Sequence, residues 1–161
     1  MENKPLKRNV NIVKLSKDHH AGLLFCWKIR QGVKYHIETD RMIKYVKYFW
    51  DHHFKKHFKE EEEFLFAPVQ DKEVQKALED HQKIKIFVDK IAVSGMEGEE
   101  GVLLELADTV DDHIRYEERV LFPHLQEKLS DEQLEKIGEQ IPDASLADTY
   151  EDHFWEKSKS L

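Results

Sequence analysis

The residues best suited to chemistry in this chain recur at a fixed interval. The string His-x-x-x-Glu-Glu-x-x-Leu-Phe runs from His57 to Phe66 and again from His113 to Phe122. Each copy sets an imidazole one helical turn before a carboxylate, so that both side chains share a helix face. The flanking residues are aromatic and aliphatic. An ionised carboxylate on an apolar face is costly unless something neutralises it, and two such pairs, each beside a histidine, point to metal ligation. Asp18-His19 precedes the first string and Asp80-His81 precedes the second. Each half therefore reads Asp-His, then His-x-x-x-Glu-Glu, as expected of two helical hairpins packed around a shared site.

Facing directions follow from the roughly 100° that separates successive helical residues. With His57 as zero, Glu61 lies at roughly 40°, and Val46, Trp50, Phe54 and Phe64 fall within roughly 60°. Leu106, Val110 and Val120 flank His113 and Glu117 in the same way, and Val74, Leu78, Val88 and Ala92 surround His81. On the first helix Ile12, Leu15, Leu23, Cys26 and Val33 centre on His19, and the parallel with His81 also favours it over His20. A lone inward histidine is ordinarily a satisfied core residue. Four helices each placing one on the core face, two with a carboxylate one turn on, are hard to sustain without a common ligand.

The candidate ligands are His19 (or His20), His57, Glu61, His81, His113 and Glu117. Six protein ligands are too many for tetrahedral zinc, and the set is too rich in imidazole for magnesium or calcium. It suits two first-row ions with the glutamates able to bridge them: iron first, manganese or zinc as alternatives, since ligand type alone does not fix the metal. Few carboxylates leave room for a small exogenous ligand such as dioxygen, nitric oxide or water.

Long helices must carry these residues. Glycine and proline are scarce, alternating strand patterns are absent, and apolar residues recur at three and four positions, so the chain reads as all-α. The pattern predicts helix one from an N-cap at Ser16 to about Val33, and helix two from near Thr39 to Phe66, ahead of Pro68. Helix three is expected from a cap at Asp71 to near Val93, and helix four from about Glu99 to Phe122, ending at Pro123. Ser130 with Gln133 reads as a capping box for a shorter helix to about Ile141. A last amphipathic stretch holds Tyr150, Phe154 and Trp155. The expected architecture is a single domain over residues 1–161. Its core is an up-down-up-down four-helix bundle over about 15–123, with short C-terminal helices over about 130–160 covering one end or side.

Ferritin-like di-iron bundles use Glu-x-x-His, and none of the ten histidines here has an acidic residue at −3. The order is reversed. In this it resembles the hemerythrin-like family, specifically the hemerythrin HHE cation-binding domain. Asp18-His19-His20, His57 to Glu62, Asp80-His81 and His113 to Glu118 match its motifs in order over about Leu15 to Pro123. The resemblance implies a four-helix bundle holding a non-haem di-iron centre, bridged by an oxo or hydroxo group and by two carboxylates. The implied ligands are His19 (or His20), His57, Glu61, His81, His113 and Glu117. Leu23 and Leu24, by the family's spacing, favour His20 on helix one. Oxygen carriers of the family have a second histidine on helix three, where this chain has Ala77 and Lys85, and a helix-four carboxylate five residues after the histidine, the place of Glu118. The pattern looks more like the branch of iron sensors and nitrosative-stress proteins. Binding or sensing of dioxygen, nitric oxide or iron is expected ahead of catalysis. Reduction of peroxide or nitric oxide at the same centre is the enzymatic alternative, and a metal-free interaction bundle the third.

The remaining residues bound these readings. A net charge of −8 argues against nucleic acid and against a polybasic membrane patch. No apolar run reaches the length of a membrane span or a signal peptide, so a cytoplasmic protein is expected. The single Cys26 excludes an internal disulfide and any Cys-rich metal site, and reads as a buried small hydrophobe. His53, one turn before His57, is a candidate further ligand or a stacking residue. His124 reads as end packing, and His36, His52 and His153 as surface or loop residues. Tyr45 and Tyr116 are candidate hydrogen-bond donors near the site. Asp18 and Asp80 are expected to orient neighbouring ligands.

Overall fold

The computed structural model describes residues 7–94, 99–142 and 148–156. Asn9 starts the helical part, its Oδ1 accepting the Asn11 N–H to launch a 3-10 turn, Val10–Ile12, that runs straight into α1 (Val13–Lys34). Ser16 is therefore not a cap. It lies inside α1 and its hydroxyl donates to Glu118. A hydrogen-bonded turn closes α1: Ile37 N–H reaches the Gly32 carbonyl and His36 N–H that of Val33, with His36 itself at φ 54° in the left-handed region usually given to glycine. α2 spans 39–66, α3 is Lys72–Ser94, α4 spans 99–128 and α5 is Asp131–Gln140. Asp71 caps α3 through Val74 N–H, and Ser130 and Gln133 form the expected capping box on α5. No strand occurs among the described residues.

Two of these helices are not uniformly α. In α2 the segments Trp50–Phe54 and Glu61–Phe66 are π-helical, and so is Glu117–Leu121 in α4. Lys55 N–H donates to Trp50 and Phe122 N–H to Glu117, each five residues back rather than four. The α4 turn lets the helix run past Pro123 to Lys128 instead of ending there. Proline lacks an N–H and its ring crowds the carbonyl four residues back, and the wider turn relieves that crowding. The extra residue per turn also rotates the rest of the helix. Leu121 is buried and Val120 exposed, and on α2 Phe49 is buried while Trp50 is only half-buried. Phe64 and Leu78 are half-buried and Ala92 is exposed, so these positions sit less centrally than uniform helical spacing implies.

Four long helices form the bundle, each packed against the next, with α1 also closing on α4. Partners run in opposite chain directions. Arg30, Cys26 and His19 of α1 meet Asp108, Ala107 and Glu117 of α4 in turn, and Lys14 and Asp18 meet Glu60 and His57 of α2. The topology is up-down-up-down. Its interior divides into two apolar clusters. One holds Phe25, Tyr45, Phe49, Ile84 and Leu106, the other Leu15, Phe66, Val74, Leu121 and Phe122. Each helix crosses from one cluster to the other at the histidines. α5 covers the second cluster with Leu134 and Ile137.

Residues 148–156 form no helix, so of the C-terminal stretch expected to be helical the described residues bear out Asp131–Gln140, while 143–147 and 157–161 lie outside the described residues. Residues 148–156 still cover the first cluster. Phe154 and Trp155 are buried against Tyr45, and Asp148 accepts from Lys28 and Tyr45. Phe154 sits where Gly32 has no side chain, since a Cβ there would lie 3.0 Å from its ring. No helix among the described residues is long and apolar enough to cross a membrane.

Candidate metal centre

One histidine from each long helix turns into the layer between the two clusters. His19, His57, His81 and His113 are all buried, and Glu61 and Glu117 are fully so. His20 is exposed, so α1 contributes His19. Imidazole Nε2 atoms ring the two carboxylates. Those of His57 and His81 lie 3.2 and 3.1 Å from Glu61, and those of His19 and His113 lie 2.9 and 3.1 Å from Glu117. Two groups of four ligand atoms result, His19-His57-Glu61-Glu117 and His81-His113-Glu61-Glu117, with the atoms of each within 4.8 Å of one another. The groups share both glutamates.

The outward nitrogens explain why the rings hold this orientation. His57 Nδ1 meets Asp18 at 3.1 Å and His113 Nδ1 meets Asp80 at 3.1 Å. His19 Nδ1 meets Glu118 and His81 Nδ1 meets Glu62, both at 2.7 Å. An ionised carboxylate only accepts, so each Nδ1 carries the hydrogen and each Nε2 is presented to the interior. That is the arrangement found around metal-bound imidazoles. Asp18 and Asp80 thus orient histidines across the helix interface rather than their chain neighbours. Every position of the repeated string acquires a use. The second glutamate (Glu62, Glu118) fixes the Asp-His histidine of the facing helix, the leucine (Leu65, Leu121) is core, and the last phenylalanine stacks on that same histidine, Phe66 on His81 and Phe122 on His19.

Of the inner atoms only His19 Nε2 and Glu117 Oε1 satisfy one another, at 2.9 Å. His57, His81 and His113 Nε2, both Glu61 oxygens and Glu117 Oε2 are buried without a hydrogen-bond partner among the described residues. They are close enough for ion pairing yet aimed at shared points between them. Buried polar atoms left in this state are rare and call for a ligand. In the metal-free protein, protons take that place. Burial works to lower the His57 pKa, but Glu61 and Asp18 outweigh it and hold the ring at about 9. His113 is likewise held at about 9, burial being outweighed by Glu117 and Asp80. Burial works to raise Glu61, and the neighbouring His57 charge keeps it well below the usual carboxylate range. The donor set, four nitrogens and four carboxylate oxygens with no thiolate, suits first-row cations.

A family model for the hemerythrin HHE cation binding domain matches residues 11–125. The chain belongs to the hemerythrin HHE family. The match covers all six inward ligand candidates, and cation binding is the property this family name carries. Neither the comparison with curated proteins nor that with solved structures gave a match.

Several further residues lie outside the inner ligand groups. Glu118, the family's alternative carboxylate position, is held outside the centre by His19, Ser16 and Arg8. Tyr45 donates to Asp148 and Tyr116 to the Glu73 carbonyl, so neither serves the inner ligands. Cys26 donates to the Ala107 carbonyl, and burial pushes its thiol up to about 12. His124 pairs with Asp71 at the start of α3, with Glu73 beside them. That trio could also take a cation, but Asp71 is already engaged as a helix cap. Lys14 and Lys76 went unread in the sequence. Each stands four residues before an Asp-His pair and bonds to its aspartate, at 2.9 Å for Asp18 and 3.1 Å for Asp80. The repeat Lys-x-x-x-Asp-His was the available signal.

Proposed function

We propose that this HHE domain is a non-haem di-iron protein of the cytoplasm that binds or senses a small molecule, dioxygen or nitric oxide, or iron itself. His19 and His57 would hold one ion and His81 and His113 the other, with Glu61 and Glu117 between them. The observation that carries the reading is the pair of ligand groups sharing both carboxylates. Iron would supply redox-active positions open to a small exogenous ligand. The protein's part is to fix the four imidazoles by their outer carboxylates, exclude bulk water and keep the site inside an apolar bundle. Manganese and zinc are the competing ions.

A second reading, reduction of peroxide or nitric oxide at the same centre, is favoured by one observation. The residues one turn either side of His81 are Ala77, which is buried, and Lys85, which is exposed. α3 would therefore supply a single imidazole, which would leave a coordination position for a substrate. Metal analysis of protein made without a chelating tag tests the main reading. Two irons per chain are expected after iron supplementation, with at least one lost in His113→Ala. Fewer than about one in the wild type rejects it. Turnover of peroxide or nitric oxide by the loaded protein separates the second reading from the first.

A further inference from the structure

Phe58 sits among three of the four inward histidines. Its ring lies flat on His81, with centroids 3.9 Å apart and planes 12° from parallel, and its centroid is 5.8 Å from that of His113 and 6.0 Å from that of His57. Trp50 packs against Phe58 edge to face at 5.9 Å. Phe58 is buried and Trp50 only half-buried, so the two rings join the layer of histidines to solvent. The repeat itself does not call for them. Leu106 and Ile114, both buried, hold the corresponding places in the second half. Trp50, Phe58 and His81 also line an open depression between α2 and α3, and Lys55, Lys59 and Lys85 stand exposed around it. Its acidic groups are Glu62, committed to His81, and Glu63. In the second half Asp111 and Arg115 replace Lys55 and Lys59 and pair with each other. The basic rim therefore has no counterpart across the bundle, and it stands on a chain of net charge −8.

We propose that this face of α2 and α3 is where electrons enter: it docks an acidic protein carrying a one-electron cofactor at its surface, and Trp50 and Phe58 conduct the electron to His81. The inference rests on the di-iron reading and adds the partner to it. Each transfer oxidises the donor by one electron and reduces one ferric ion to ferrous. No bond forms or breaks, and the two rings are not themselves oxidised. Tunnelling falls off exponentially with distance and falls fastest across gaps. Two rings in contact with each other and with a ligand imidazole keep the gaps short. The three lysines would steer an acidic partner to this entry and fix its orientation. A small, mostly polar contact of this kind is what short-lived redox complexes use.

Flavodoxin, an acidic protein with a flavin at its surface, is the probe. Ferric wild type, Trp50→Leu and the triple variant Lys55→Glu/Lys59→Glu/Lys85→Glu are mixed with reduced flavodoxin, and loss of the ferric absorbance is followed. Iron is counted in each and should be equal. At low ionic strength the triple variant should react at least about tenfold more slowly than wild type, a difference that added salt erases. Trp50→Leu should keep the flavodoxin concentration that gives half the limiting rate, while the limiting rate itself falls several-fold. Reduced methyl viologen, a small cation with no use for the lysines, should reduce Trp50→Leu and wild type alike and the triple variant no more slowly. Docking is read separately on metal-free wild type, where oxidised flavodoxin should move the amide signals around Trp50, Lys59 and Lys85. The triple variant is changed only at exposed positions, so it carries the test if Trp50→Leu does not fold. A triple variant as fast as wild type, an unchanged limiting rate in Trp50→Leu, or amide shifts confined to another face overturns the proposal and leaves the di-iron reading standing. So does a wild type that viologen reduces and flavodoxin does not. A wild type that takes up no iron rejects the di-iron centre and this entry site together.

Discussion

Glu60 and Tyr116 occupy the same place in the two halves, three residues after His57 and His113, and they make the halves unequal. Lys14 lies between Glu60 at 2.7 Å and Asp18 at 2.9 Å, all three largely buried. Its counterpart Lys76 reaches Asp80 but is half exposed and sits 4.5 Å from the Tyr116 ring centroid. Burial works to lower the Lys14 pKa, and Glu60 and Asp18 outweigh it to leave it raised. The pair is therefore ionic, and removing one member strands a buried charge. Lys14→Met should lower unfolding stability by about 3–5 kcal/mol, whereas Lys76→Met should change it by less than about 1 kcal/mol. Adding Glu60→Leu to Lys14→Met should recover most of the loss, because an apolar pair replaces the ionic one. Urea unfolding of the four chains measures this. A double variant no more stable than Lys14→Met would show that the pair's charge is not the source of the cost. The inner ligands were legible at this scale because their types and spacing were repeated. The second glutamates were visible in the same string, but their use was not. Only the facing helix shows that Glu62 and Glu118 serve His81 and His19.

At the scale of the element, helix existence and approximate bounds followed from periodicity, and the errors within α2 and α4 share one cause. Uniform 100° spacing cannot represent a turn holding an extra residue. His57-Glu61 and His113-Glu117 were placed correctly, because no π-helical turn separates the members of either pair. On α2 the earlier turn Trp50–Phe54 puts Phe49 in the core in place of Trp50, and in both helices a π-helical turn follows the pair. After that turn the assignment slips by one, which is why Val120 was assigned to the core and Leu121 was not. Pro123 was misread for the same reason. Residues 148–156 were misread differently, since apolar spacing records burial and not helix, and Phe154 and Trp155 are buried from an irregular segment. The slip is directly testable. Val120→Lys should alter stability by about 0.5 kcal/mol or less, the ordinary range for an exposed site, while Leu121→Ala should cost about 2–5 kcal/mol through the cavity it leaves. Thermal unfolding of both variants decides. The reverse order of costs would mean that α4 continues as a regular α-helix through this stretch.

Taken whole, the bundle places a charged layer between two apolar clusters, and its stability depends on what neutralises that layer. In the metal-free protein the neutralising charge is protonic. His57 and His113 are held at about 9 against an ordinary imidazole value of 6.5. A pKa raised by folding stabilises fully below the unfolded value and ceases to do so as pH rises through the folded one. The metal-free chain should therefore lose stability between about pH 6.5 and 9. Glu61, held well below the usual carboxylate range, stays ionised across that window and loses its compensation as the imidazoles discharge. A bound cation reverses the dependence. It needs neutral imidazoles, so it displaces these protons, and its advantage grows as they leave of their own accord. The gap in melting temperature between iron-loaded and metal-free protein should thus widen from pH 6.5 to 9, with protons released on metal addition at the lower end. Paired melting curves across that range, with proton release followed in a weakly buffered indicator, test both halves of the statement. A gap that stays constant or narrows would mean that protons and metal do not compete for the same imidazoles.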